Sequence, residues 1–98
     1  MRNLQISKPR YFISSLAKGL SVLQAFGEAG HPLTLSEIAN ALGANNTTAT
    51  RLCYTLAELG FIQRDGQRRY HLTPKILTLG YSYISGLAWQ EVAQYYLE

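Results

Sequence analysis

Apolar residues recur at spacings of three and four in three successive segments, and each segment ends at a glycine. The first begins at Ser14-Ser15 and has its apolar face at Leu16, Leu20, Leu23 and Phe26. This spacing predicts one face of an α-helix, with a serine capping its first amides. Val22 and Ala25 widen the apolar surface, so this helix is expected to contact two neighbours.

The second segment opens on a capping box. In Thr34-Leu35-Ser36-Glu37 the threonine oxygen accepts a hydrogen bond from the Glu37 amide, and the glutamate carboxylate accepts one from the threonine amide. A short helix follows, with its apolar face at Leu35, Ile38, Ala39 and Leu42. Gly43 then stands where a residue with positive φ ends a helix.

The third segment begins at Asn45 or Asn46, either of which is a suitable helix cap. Its apolar face comprises Ala49, Leu52, Cys53 and Leu56, and is extended by Leu59. Gly60 ends the segment. Two short amphipathic helices joined by a tight turn that contains glycine are the sequence form of a helix-turn-helix.

After Gly60 the period changes from helical to extended. Residues 61–64 and 67–72 are predicted to form a β-hairpin, joined by Asp65-Gly66 in a type I′ turn. Thr73-Pro74 is typical of a helix start, with threonine as the N-cap and proline at the first helical position. A fourth helix is predicted to run through Ile76, Leu77, Gly80, Ile84 and Leu87.

Length and charge narrow the possible functions. The chain has 98 residues, enough for one domain, and a net charge of +3. All nine basic residues and four of the six acidic residues lie in positions 1–75, so this part carries +5 and the last 23 residues carry −2. A basic body indicates a polyanionic partner. Residues 1–14 hold three basic residues and no acid, and are expected to form a mobile tail or a basic arm that follows phosphates.

The face of the third helix opposite its apolar stripe carries the most informative chemistry. Short polar side chains and an arginine are concentrated there and at its N-terminal end: Asn46, Thr47, Thr48, Thr50, Arg51 and Tyr54. Asparagine pairs with adenine, arginine with guanine, and a threonine methyl packs against a thymine methyl. The alternative is that Asn and Thr serve only the helix cap and that Tyr54 shields the core.

The predicted hairpin adds Arg64, Arg68 and Arg69 around its turn. Arginines on a hairpin often only protect its edges from pairing with other strands. Beside a helix-turn-helix, however, the same hairpin resembles the wing of a winged helix, which contacts phosphates or the minor groove. Ser36, with the Glu37 amide, is a further candidate for holding a phosphate at the start of the second helix.

Disulfide, metal-binding and catalytic roles have weaker support in the sequence. A single cysteine, Cys53, excludes a disulfide framework and a zinc site built from several thiolates. Cys53 lies on the apolar stripe, and neither His31 nor His71 has a partner at metal-ligand spacing, so no metal, cofactor or catalytic role is expected. The N-terminus lacks a secretory signal and the chain lacks a membrane-spanning apolar stretch, which predicts a cytoplasmic protein.

The order of these elements resembles the DNA-binding domain of the IclR family of bacterial transcription regulators. The resemblance covers roughly residues 15–87, and its landmarks are Ser15-Leu16-Ala17-Lys18-Gly19-Leu20, Leu35-Ser36-Glu37-Ile38-Ala39, Thr48 with Arg51-Leu52, Leu59-Gly60-Phe61, Tyr70-His71-Leu72-Thr73-Pro74 and Leu79-Gly80. The family's recognition helix usually opens with proline before Ser-Thr. This chain has Asn45-Asn46-Thr47 there, so its base preference stays open. Thr-Pro and the later Leu-Gly-Tyr look like the subgroup that responds to aromatic compounds.

The resemblance implies a division of the chain into a basic arm (1–14), a winged helix-turn-helix (15–73) and a linker helix (74–98) that leads toward an effector-binding domain absent from this sequence. A small-molecule effector would bind only that domain. The family also implies dimers or higher oligomers. The first helix and the linker are expected to pair two copies through their surplus apolar residues: Leu16, Leu20, Val22, Leu23, Trp89, Val92 and Tyr96.

The sequence thus predicts an α+β fold, a winged helix-turn-helix of three helices and a two-stranded hairpin followed by a linker helix. The predicted function is sequence-specific binding of an operator in double-stranded DNA to regulate transcription. The alternative is a winged-helix module for protein interaction or dimerisation, which would leave the threonine-rich face unused.

Overall fold

The computed structural model describes residues 10–86, which form four helices and a three-stranded sheet. In chain order the elements are α1 (Ser14–Ala29), β1 (Leu33–Thr34), α2 (Leu35–Leu42), α3 (Asn46–Glu58), β2 (Ile62–Arg64), β3 (Arg69–Leu72) and α4 (Ile76–Ser85). The winged helix-turn-helix predicted from the sequence is confirmed. Within residues 10–86, no helix is long and apolar enough to cross a membrane.

Local hydrogen bonds fix where α2 and α3 begin. The predicted capping box is present: the Thr34 amide donates to Glu37 Oε1 at 2.9 Å, and the Glu37 amide donates to Thr34 Oγ1 at 3.2 Å. Asn45 is the cap of α3, since its Oδ1 accepts the Thr48 amide at 2.8 Å. Gly43, at φ +66°, ends α2 and allows the tight turn between the two helices.

The core lies where α1, α2, α3 and the sheet meet. Val22 from α1, Ile38 from α2, and Ala49 and Cys53 from α3 are each completely buried. Around them pack Phe26, Leu33, Ala39, Leu56 and Ile62, which are at most 9% exposed. The apolar stripes predicted for α2 and for most of α3 are therefore the faces that the protein buries.

Two sequence predictions about apolar residues are wrong. Val22 was predicted to contact a second copy, but α1 directs Val22 and Phe26 into the core. Because Val22 has no exposed surface, it is not available to a partner. Leu59 was predicted to extend the buried face of α3, but the helix ends at Glu58 and Leu59 is 51% exposed.

The sheet has the strand order β1-β3-β2, with both pairs antiparallel. The two-residue strand β1 joins the predicted hairpin as a third strand, with Leu33 opposite Tyr70 and Thr34 opposite Arg69. A strand this short has no alternating pattern to reveal it in the sequence. Its pairing ties the start of α2 to the hairpin.

The predicted type I′ turn at Asp65-Gly66 is also wrong. The Asp65 amide donates to the Arg69 carbonyl at 2.8 Å and the Arg68 amide donates to the Asp65 carbonyl at 3.3 Å, so residues 66–68 form a three-residue loop. Arg68 lies at φ +66°, as in a type I turn followed by a left-handed residue. The Asp65 carboxylate favours this loop, because Oδ1 accepts the amides of Gln67 at 2.8 Å and Arg69 at 3.0 Å.

Helix α4 begins two residues later than the proline signal suggests. Hydrogen bonds from the Ile76 amide to the Thr73 carbonyl (3.2 Å) and from the Leu77 amide to the Pro74 carbonyl (2.9 Å) form a tighter turn before the α-helix. Thr73 Oγ1 nevertheless accepts the Lys75 amide at 3.3 Å, as a capping residue does. The basic residues before Arg10, and Leu87, Trp89, Val92 and Tyr96, lie outside the described residues.

The hairpin loop should respond to acid through Asp65. Hydrogen bonds from the Arg69 and Gln67 amides lower the pKa of this carboxyl below its ordinary value of 3.8. Because the folded-state pKa is depressed, the stabilising contribution is present above the unfolded pKa and is lost as the pH falls through the folded one. In an NMR titration, the amide resonances of Gln67 and Arg69 should move together with a midpoint below pH 3.8. Asp65→Asn should abolish this transition, and a midpoint at or above the ordinary value would contradict the interpretation.

Candidate nucleic-acid interface

One side of α3 is exposed because the other side is in the core. Ala49, Cys53 and Leu56 are buried, which fixes the rotation of the helix about its axis. Opposite them lies the recognition face, which we define as the exposed residues Asn46, Thr47, Thr50, Arg51 and Tyr54. Tyr54 is 67% exposed, so it does not shield the core. The packing of α3 therefore presents a continuous polar surface to solvent.

Thr48, which the sequence grouped with these residues, lies at the edge of the recognition face. It is half-buried and lines a groove next to α1, together with Arg51. Its backbone amide is already bound by Asn45. Only part of the Thr48 side chain is thus available to a ligand on the recognition face.

Thr50 and Arg51 offer different chemistry to a ligand. The Thr50 hydroxyl donates to the Asn46 carbonyl at 2.7 Å, so its proton is used within the helix, while an oxygen lone pair and the methyl group remain. The Arg51 guanidinium has no hydrogen-bond or ion-pair partner among residues 10–86. An exposed arginine without an internal partner keeps all its donors for a ligand.

The wing, which we define as residues 62–72, carries three exposed arginines. Arg64 is on β2, Arg69 is on β3, and Arg68 is at the tip of the loop between them. The positive φ of Arg68 is unusual for a residue other than glycine. The wing therefore presents guanidinium groups from both strands and from its tip, as the clustered arginines in the sequence predicted.

Strand pairing also brings the wing close to the start of α2. Arg69 is opposite Thr34, the cap of α2. The hydrogen bond from the Thr34 amide is the largest cause that lowers the pKa of Glu37, and the charge of Arg69 lowers it further. Ser36 is exposed in the first turn of this helix. The Glu37 amide, by contrast, is occupied by Thr34 Oγ1, so it is not free to hold a phosphate as the sequence suggested.

An apolar groove of about 800 Å³ lies between α1 and α3. Two leucines predicted to contact a second copy border it with substantial exposure, Leu16 at 60% and Leu20 at 53%. Leu23 also lines the groove, is half-buried and packs against the core. The exposed Leu59 and Leu79 extend the apolar lining. No sequence pattern indicates this, because the two leucines belong to different predicted helices.

The other side chains with reactive groups are those of Cys53, His31 and His71. Burial raises the pKa of the Cys53 thiol to about 11, which disfavours the thiolate that a nucleophile requires. His31 Nδ1 lies 2.9 Å from the Pro32 carbonyl and His71 Nδ1 lies 3.1 Å from the Leu72 carbonyl. Within the described part of the chain, no group of three or more His, Cys, Asp or Glu side chains is placed to hold a metal ion.

Comparisons with known proteins agree with this architecture. Residues 15–66 match the model of the IclR helix-turn-helix domain. The "Pca regulon regulatory protein" of Pseudomonas putida is 41% identical over 87 residues, which are 89% of this chain and 30% of that protein. The "p-hydroxybenzoate hydroxylase transcriptional activator" of Acinetobacter baylyi is 36% identical over 88% of this chain and 31% of its own length.

A solved structure gives the same result. The crystal structure of an IclR family transcriptional regulator from Brucella abortus superposes with a TM-score of 0.77 at 35% identity, covering 96% of this chain and 36% of that one. The chain thus spans about a third of the length of these relatives. The matched residues contain all of α1 except its first residue, the helix-turn-helix and the first strand of the wing. The chain belongs to the IclR helix-turn-helix family.

Proposed function

We propose that this chain binds duplex DNA in a sequence-specific manner as the DNA-binding part of an IclR-type transcription regulator. The observation that carries the proposal is the recognition face, a polar helix surface that the core holds outward and whose Arg51 has no partner within residues 10–86. A helix of this kind fits the width of the major groove, where base edges are distinguishable.

The recognition face supplies chemistry for reading bases. Asn46 is suited to adenine and Arg51 to guanine through paired hydrogen bonds. Thr47 and Thr50, with the exposed part of Thr48, offer methyl groups to thymine and oxygen atoms to amino groups. Tyr54 lies one turn further along the exposed side, where it reaches the DNA backbone or a base.

The wing and the start of α2 supply contacts to phosphates. Arg64, Arg68 and Arg69 are exposed on the wing, and Ser36 is exposed close to Arg69 in the fold. Contacts of this kind set the position and orientation of a protein on DNA and carry little sequence information. They also make the affinity depend on salt, because bound phosphates release counterions.

Two copies are expected to bind one operator. The groove with its exposed leucines, Leu16 and Leu20, is an apolar surface that suits contact with a second copy. Two-fold binding of this kind requires half-sites separated by whole turns of DNA, about 34–36 Å or 10–10.5 bp for each turn. The predicted contacts of Trp89, Val92 and Tyr96 remain part of this proposal.

The names of the relatives suggest the genes that the chain controls. One relative is named for the activation of p-hydroxybenzoate hydroxylase, whose name specifies an aromatic substrate. We infer that the present chain also belongs to a cytoplasmic regulator of the metabolism of aromatic compounds. The small molecule sensed would be bound by a part of the regulator other than the winged helix.

The apolar groove between α1 and α3 also supports a second candidate function, a module for protein interaction or dimerisation that does not bind specific DNA. Selection of bound sequences from a random duplex pool, followed by gel-shift titrations at two salt concentrations, separates the two functions. DNA binding predicts one enriched sequence with repeated half-sites. Absence of binding at low salt, with a dimer present in sedimentation, would favour the interaction module.

Arg51→Ala should weaken binding to the selected operator by about 1–3 kcal/mol and relax the preference at one base position, because a bidentate contact to guanine is lost. Titration of operators substituted at each position measures both effects. Arg68→Ala, which also removes one exposed guanidinium, is the matched control and should leave base preferences unchanged. An equal loss on specific and random duplexes would rule out base reading by Arg51.

Arg68→Ala should instead weaken binding to all duplexes alike. The loss of one phosphate contact should reduce the slope of log affinity against log salt by about one. Arg68→Lys retains the positive charge and should largely retain the slope. If the slope is unchanged in Arg68→Ala, the tip of the wing makes no contact with phosphate.

A further inference from the structure

The end of α3 is tied to the segment before α4 by contacts that DNA binding does not explain. Three successive carbonyl groups, those of Leu59, Gly60 and Phe61, accept hydrogen bonds from this segment. Lys75 Nζ donates to Leu59 at 2.7 Å, and Thr73 donates through its hydroxyl to Gly60 and through its amide to Phe61. We refer to Thr73 and Lys75, bound to these carbonyls, as the latch.

The first carbonyl of the latch, that of Leu59, belongs to the C-cap of α3, whereas those of Gly60 and Phe61 follow the helix. The last carbonyls of an α-helix have no donors within the helix and carry partial negative charge. The Lys75 ammonium group lies at this end of α3 and is also 5.2 Å from the centroid of the Phe61 ring. A cation in this position is favoured both by the helix end and by the aromatic face.

Gly60 allows the two segments to approach closely. Its φ is +89°, a conformation that residues with a side chain rarely adopt. A Cβ atom at this position would lie 3.3 Å from Lys75 Cδ, closer than most such contacts. The glycine that ends α3 therefore also provides room for the Lys75 side chain.

The described part of α4 has little else to fix its direction. None of its residues is buried. Four of its large apolar side chains are 63% to 70% exposed, those of Leu77, Leu79, Tyr81 and Tyr83, while Ile84 is 40% exposed and Ile76 is half-buried. Since the core does not hold this helix, and among its described residues only Leu79 lines the groove next to α1 and α3, the contacts that precede it are the main restraint on how it leaves the domain.

We propose that Lys75 is a positioning residue, and that the latch sets the direction of α4 relative to α3. In a dimer that forms through α1 and the linker, this direction determines the separation of the two recognition faces. The latch then selects operators by the spacing of their half-sites. The spacing effect depends on the proposed function, whereas the direction of α4 does not.

Distances between spin labels test the geometric step. Labels at Glu58→Cys and Ser82→Cys report on α3 against α4, and labels at Glu58→Cys and Gln24→Cys report on α3 against α1. All three positions are exposed, while Cys53 is buried and stays unlabelled. The labelled chain is diluted with unlabelled protein so that only distances within one copy are measured by double electron–electron resonance.

Lys75→Met keeps an apolar stem of similar length but removes the donor. We expect it to broaden the 58–82 distance distribution and to leave the 58–24 distribution unchanged. Lys18→Met is the matched control, because exposed Lys18 on α1 has no hydrogen-bond partner within the described residues. An unchanged 58–82 distribution would overturn the proposal, and broadening of both distributions would show a general loss of structure instead of a positioning role.

Binding to operators of altered spacing tests the second step. Wild-type protein should prefer the selected spacing over one changed by two base pairs, and Lys75→Met should reduce this preference by about tenfold, the scale of one charge-assisted hydrogen bond. A lower affinity with unchanged spacing preference would overturn the spacing role. If the wild-type chain binds no duplex, the proposed function fails while the spin-label result still decides whether the latch positions α4.

Discussion

Burial of one face of α3 against α1 and α2 is the interaction on which the rest of the molecule depends. Val22, Ile38, Ala49 and Cys53 are completely buried where these helices meet. A fully buried aliphatic side chain such as Val22 or Ile38 contributes about 1.5–3 kcal/mol. Because this contact fixes the rotation of α3, it determines which residues of that helix face solvent. The polar surface of α3 is thus a consequence of its apolar surface.

Pairing across the sheet connects this core to the charged parts of the molecule. Thr34 is both a residue of β1, opposite Arg69, and the cap of α2. One threonine therefore links the first turn of a helix to an arginine of the wing. The hydrogen bonds at Asp65 hold the other end of the same hairpin. The wing is held by backbone pairing between its strands and by the packing of Ile62, Tyr70 and Leu72 against the core.

Patterns within one segment were predictable from the sequence, and contacts between segments were not. The capping box at Thr34 and the buried stripe of α3 follow from spacing alone, because a helix repeats every 3.6 residues. Whether Val22 or Leu20 faces the core depends on where α2 and α3 pack against α1. The spacing of apolar residues within α1 does not predict those positions. The loop after Asp65 was mispredicted because its carboxylate binds two amides, an interaction that competes with the usual Asp-Gly turn. The contact of Lys75 with Leu59 links positions sixteen residues apart and has no sequence signal.

The left-handed backbone conformation of Arg68 makes the wing tip less stable than the same loop with glycine at this position. A residue with a Cβ atom in this conformation costs about 1–2 kcal/mol relative to the right-handed region, and glycine avoids most of that cost. Sequence optimisation for thermal stability alone would therefore replace Arg68 with glycine and remove one of the three positive charges of the wing. At position 68, the substitution that stabilises the fold also removes a positive charge. A more stable variant that keeps this charge therefore needs stabilising substitutions at other positions.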